Sequence, residues 1–177
     1  MFLDEVQKGT ASLNTKVFNE HDILHNAYLT QLALLKIRQN EKIKLLANLF
    51  ASYFNKITDD VSKRNDYNDD YELFINIIEQ INMNEWKLLI ILYDFELKNE
   101  LVNKKTDSNV LTIISSYWDN FLTEVKSQLN FDKLYVEAVL TKLNGTGLYQ
   151  TINGMYLGYL GNKGNLTPIF YKLVGFL

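Results

Sequence analysis

The chain has 177 residues, 47% of them apolar and 13% aromatic, enough for one or two packed domains and too apolar for a disordered tail. It has no cysteine, which excludes disulfides, thiol nucleophiles and thiolate metal sites. Divided after Ile81, nine Lys/Arg face twelve Asp/Glu before that point and nine face nine after it, in keeping with a net charge of −3; neither half has the cationic surplus that binding to a phosphate backbone draws on.

Met1-Phe2-Leu3 runs at once into Asp4 and Glu5 with no apolar h-region, and the longest apolar run, Leu88 to Tyr93, is too short to cross a bilayer. The expectation is a soluble, cytoplasmic protein with no membrane partner. Residues 1 to about 14 read as a loose start. From Thr15 to Ile57 the pattern is helical. Val17, Leu24, Tyr28, Leu32 and Leu35 share a stripe at helical spacing, and Ile43, Leu46, Leu49, Phe50, Tyr53, Phe54 and Ile57 continue it beyond a polar break at Arg38-Gln39-Asn40-Glu41. One kinked helix and two helices fit equally well. The stripe itself reads either as intramolecular core or as the seam of a homodimer.

A polar connection from Thr58 to Asn68 precedes a short helix, with Asp69 or Asp70 as its cap and Leu73, Phe74, Ile77, Ile78 and Ile81 inward. Asn82-Met83-Asn84-Glu85 has capping-box spacing and launches the helix from Trp86 to about Lys98. After a polar joint at 103–107, Val110, Ile114, Tyr117, Trp118, Phe121 and Val125 form the cleanest amphipathic stripe in the chain, opposite Thr112, Ser116, Asp119, Thr123 and Lys126. The helix from Phe131 to Leu143 is apolar over most of its circumference, which predicts that it is mostly buried, with Lys142 able to snorkel.

The period then changes to two. Leu148 to Ile152 and Met155 to Leu160 flank Asn153-Gly154, the dipeptide that type I′ hairpin turns favour because both positions need positive φ. Gly161 to Gly164 supplies a second turn, and Thr167-Pro168 reads as the cap and first residue of a closing helix. Helices, hairpin and closing helix follow the order of a winged helix. The expected fold is therefore mainly α: a helical N-terminal region, 1–81, followed by a winged-helix-like region, 82–177, with one β-hairpin.

Three segments, KIKLLANLFASYF, DDYELFINIIEQINMNEWKLLIILYDFE and VLTKLNGTGLYQTINGMYLGYLGNKGNLTPIFYKLVGFL, resemble in their order the bacterial Abi-alpha family. The resemblance covers roughly Glu41 to Leu177 and rests on apolar spacing; it departs where Phe170-Tyr171 stand in place of a glycine frequent after the Thr-Pro. It implies a setting in abortive phage infection and brings no agreed catalytic residues.

The residues themselves offer little catalytic chemistry. The glycine-rich stretch from Leu143 to Pro168 has neither Gly-Lys-Ser/Thr nor G-x-G-x-x-G, so a structural hairpin is preferred to a phosphate loop. His21 and His25 have the i, i+4 spacing of a zinc helix, but Asp22 is short for the base and no third histidine follows; His21 reads as a satisfied, part-buried side chain. Asp66 to Glu72 alternates oxygens like a calcium loop, yet Tyr71 occupies the glycine position and Ile77 the final acid position. Asp94, Glu96 and Glu100 form no evident acid-base pair. Ser115-Ser116 have no histidine nearby.

These readings converge on a non-enzymatic interaction or adaptor protein with no cofactor, no metal and a protein partner of unknown identity, acting in phage response. The alternative is a winged-helix DNA-binding regulator contacting nucleic acid through Lys133, Thr141, Asn144 and Lys163.

Overall fold

The computed structural model describes residues 20–59, 63–99, 101, 110–152 and 163–177. They are mainly helical, with one antiparallel strand pair. The chain divides into two units, Met1–Asn82 with Lys172–Leu177, and Met83–Tyr171.

The first unit contains α1 (Glu20–Lys36), α2 (Asn40–Asp59) and α3 (Arg64–Gln80). The polar break separates two helices rather than kinking one. The long apolar stripe is split between them. Its α2 half is core, with Leu46, Leu49, Tyr53 and Ile57 buried, whereas Leu24 is 63% and Leu35 77% exposed on α1, and Tyr28 is exposed beside them. Instead α1 buries Asn26, Thr30, Ala33 and Ile37, which recur at four, three and four residues and so share the opposite face.

Hydrogen bonding explains this choice of face. Asn26 Nδ2 donates to Asn68 Oδ1 at 3.1 Å, the Tyr53 hydroxyl donates to that same oxygen, and the hydroxyls of Thr30 and Tyr71 are paired. A buried polar group costs little once partnered. Small polar residues also let α1 lie close against its neighbours, and the larger apolar side chains are left outside. His21 accordingly sits on the exposed side, its side chain 3.8 Å from the Asp22 carboxylate, and is not part-buried as expected.

The structure also starts α3 earlier than the sequence suggests, at Arg64, so Asp69 and Asp70 lie within the helix and neither caps it. Asp70 is buried and accepts from Lys172 Nζ at 2.6 Å. Phe74, Ile77, Ile78 and Ile81 point inward as expected, while Leu73 is partly exposed. Phe176 closes the unit edge-on against Phe74, with Lys56 Nζ 4.5 Å above its ring.

The second unit contains α4 (Met83–Lys98), α5 (Val110–Leu129), α6 (Lys133–Asn144), β1 (Tyr149–Thr151), β2 (Gly164–Leu166) and the start of α7 (Pro168–Val174). Leu88, Leu89 and Leu92 of α4 and Ile114, Tyr117, Trp118, Phe121 and Val125 of α5 are buried. Phe95 stacks on Tyr117 and meets Phe121 edge-on. Trp86, Tyr93 and Phe170 form a second aromatic cluster.

β1 and β2 run antiparallel, with Tyr149 opposite Leu166, Gln150 opposite Asn165 and Thr151 opposite Gly164. The expected Asn153-Gly154 turn and the strand Met155 to Leu160 lie outside the described residues, as do residues 1 to 14 and the joint at 103–107. Gly164, expected in a turn, belongs to a strand. A Cβ there would run into the Gln150 carbonyl oxygen and the Tyr149 ring, so the close pairing demands glycine. Gly147 takes φ +76° between α6 and β1. Pro168 opens α7, and Thr167 Oγ1 accepts from the Phe170 amide at 3.3 Å as a helix cap.

Candidate functional site

α5 ends at Leu129 and is followed by Asn130, which adopts φ +56°, a left-handed conformation that asparagine tolerates. Two residues later the Asp132 carboxylate accepts from the Tyr135 amide at 2.8 Å and caps α6. Val136, Val139, Leu140 and Leu143 then recur at three, one and three residues and form the inward face. The expectation of a mostly buried helix is corrected here. Leu134 is 77% and Tyr135 51% exposed, and Ala138 and Thr141 are exposed as well. The wide apolar circumference serves two surfaces: one packs into the unit and the other faces solvent.

The Phe131 ring meets Tyr135 edge-on, with centroids 4.5 Å apart. Leu134, Ala138 and Thr141 lie one helical turn apart on the same side. Lys142 does snorkel, to Glu85, where Nζ lies 2.7 Å from Oε1. The N-terminal end of α6 thus presents an exposed leucine and tyrosine, with the Phe131 ring just ahead of the helix against Tyr135.

Residues named for nucleic-acid contact fall as follows. Lys133 and Asn144, at opposite ends of α6, are exposed, and so is Thr141, whose hydroxyl donates back to the Glu137 carbonyl at 2.8 Å. Lys163 precedes β2 and lies 3.4 Å from Ser115 Oγ on α5. The positive charge is thus dispersed.

Among the described residues there is no group of three or more His, Asp or Glu side chains placed to hold a metal ion. His21, Asp22 and His25 line a polar cleft of about 220 Å³ with Asn68, Asp69 and Glu72. Asp66 to Glu72 lies on α3 as regular helix. Ser115 and Ser116 are exposed on α5, and Ser116 donates to the Ile113 carbonyl.

Glu96, which the sequence offers only as one of several carboxylates without an acid-base pair, holds a position whose partners spacing alone does not reveal. It is fully buried on α4, with Oε1 accepting from the Leu166 amide at 2.8 Å and Oε2 accepting from the Tyr171 hydroxyl. Burial pushes its carboxyl up to about 7, and the two hydrogen bonds only partly oppose that rise. The Tyr117 and Tyr171 hydroxyls are pushed above their ordinary range, first by burial and then by the charge on Glu96. The signal for its burial was present in the spacing: Glu96 lies four residues after Leu92 and seven after Leu89, in register with the buried stripe.

No protein-family model, curated protein or solved structure matches the chain. Among the described residues no helix is long and apolar enough to cross a membrane.

Proposed function

We propose that the protein is a non-enzymatic interaction module that docks a protein partner on the outward face of α6. The observation that carries this reading is the exposure of Leu134 and Tyr135 beside Phe131 at the start of a capped helix. Rigid aromatic and aliphatic side chains of this kind anchor protein interfaces at small entropic cost. The order of the second unit, three helices followed by an antiparallel pair, supports a winged-helix-like arrangement with α6 in the position of the recognition helix. On such a helix DNA readers present Arg, Lys, Asn or Gln to base edges; here the first turn presents leucine and tyrosine beside a single lysine, Lys133. On the Abi-alpha resemblance, we propose that the partner acts in phage response. A homodimer built on the apolar N-terminal stripe would use α1, since the α2 half is core.

The alternative is a DNA-binding regulator, which the element order favours. A comparison of retention on duplex DNA and on host proteins separates the two. Protein docking predicts no salt-dependent duplex retention, and a nuclease-resistant protein partner lost in Leu134→Asp. Salt-dependent duplex binding lost in Lys133→Glu and Lys163→Glu would replace this reading with the regulator.

A further inference from the structure

Glu96 lies away from the outward face of α6, and the proposed docking makes no use of it. One carboxyl group on α4 joins the backbone of β2, through the Leu166 amide, to α7, through the Tyr171 hydroxyl. The titratable groups around it are tyrosines: Tyr117 from α5, Tyr171 from α7 and Tyr93 from α4, whose ring lies tilted 5.7 Å from that of Tyr171. Among the described residues no lysine, arginine or histidine pairs with Glu96. The Tyr117 hydroxyl is buried without a hydrogen-bond partner, so it offers the carboxylate no donor. A buried carboxylate with two neutral donors and no cation pays most of its desolvation cost uncompensated when ionised. The neutral acid avoids that cost and keeps both links: its carbonyl oxygen accepts from Leu166, and its hydroxyl donates to the Tyr171 oxygen.

We infer that Glu96 is a proton-operated latch, which as the neutral acid holds β2 and α7 on α4 and on losing its proton loosens them. The proton leaves to solvent and returns from it, and no other reactant is needed. The direction follows from linkage. The folded-state value, about 7, lies above the ordinary 4.5, so the stabilisation is fully present below about pH 4.5 and is lost as pH rises toward 7. Applied to those two values, linkage predicts that opening around Glu96 becomes on the order of thirtyfold more frequent between pH 5.5 and pH 8.

The test is amide hydrogen exchange at Leu166, corrected for the intrinsic pH dependence of exchange, in the full chain and in Glu96→Gln. Glutamine retains an acceptor for Leu166 and a donor for Tyr171 but does not titrate. The expected result is a protection factor that falls about thirtyfold from pH 5.5 to 8 in the parent chain and stays level in the variant. Equal protection at both pH values in the parent, or the same fall in the variant, overturns the latch. Should Glu96→Gln fail to fold, the carboxyl carbon shift of Glu96 in the parent chain decides: a midpoint near 7 supports the latch, and one below 5 overturns it.

Discussion

Each unit buries a hydrogen-bonded polar cluster of different chemistry, and the first also buries the Asp70 carboxylate, which is paired with Lys172. In the first unit Asn26, Thr30, Tyr53, Asn68 and Tyr71 share hydrogen bonds among amides and hydroxyls that stay neutral near pH 7. In the second a carboxyl group is sealed among tyrosines and held by one backbone amide and one hydroxyl. The neutral network constrains which face of α1 turns inward, at a cost independent of pH. The carboxyl group makes the stability of its unit a function of proton concentration. The two clusters therefore differ in responsiveness, although both units leave polar atoms unpartnered, Asn26 Oδ1 and Asp70 Oδ2 in the first and the Tyr117 hydroxyl in the second.

Removing the shared acceptor of the neutral network gives the largest expected effect. Asn68→Ala strips Asn26 Nδ2 and the Tyr53 hydroxyl of that oxygen, and denaturant unfolding should show a loss of about 3 kcal/mol that is the same at pH 5.5 and pH 8. A pH-dependent loss would erase the distinction between the units. Next comes titration of the parent chain: its second unit should lose about 2 kcal/mol from pH 5.5 to 8, whereas Glu96→Gln should show a level profile over that range. Tyr71→Phe removes one partner of Thr30, which still donates to the Asn26 carbonyl at 2.7 Å, and should cost about 1 kcal/mol at either pH. The smallest effect belongs to the outward face. Leu134→Asp should change stability by less than about 0.5 kcal/mol, because the side chain makes no contribution to the core, and thermal unfolding would show a near-unchanged midpoint.

Much of the architecture is legible in the sequence because apolar spacing and buried faces agree there. In α5 every buried residue named above lies on the stripe that spacing marks, and its polar face is exposed. Thr167-Pro168 opens α7 where capping chemistry places it. α1 breaks the agreement because apolar residues occur on both sides, and hydrogen-bond partners on α3 decide which side packs. Spacing within a single helix carries no information about those distant partners. α6 fails differently: its apolar circumference exceeds what packing consumes, so a tally of apolar positions overstates burial and hides the exposed Leu134 and Tyr135. Glu96 reads in the sequence as one unpaired carboxylate among several because its significance lies in Leu166 and Tyr171, 70 and 75 residues further along. For Gly164 the sequence points to a turn because glycine favours turns, while its actual requirement is the close approach of Gln150.

The claim on which the functional account turns is that the outward face of α6 binds protein. Affinity capture from host extract, after nuclease treatment, with the parent chain, Leu134→Asp and Lys133→Glu compared by quantitative mass spectrometry, tests it most directly. The account predicts a discrete protein partner that is retained by the parent and by Lys133→Glu and lost by Leu134→Asp. Equal capture by parent and Leu134→Asp would contradict it.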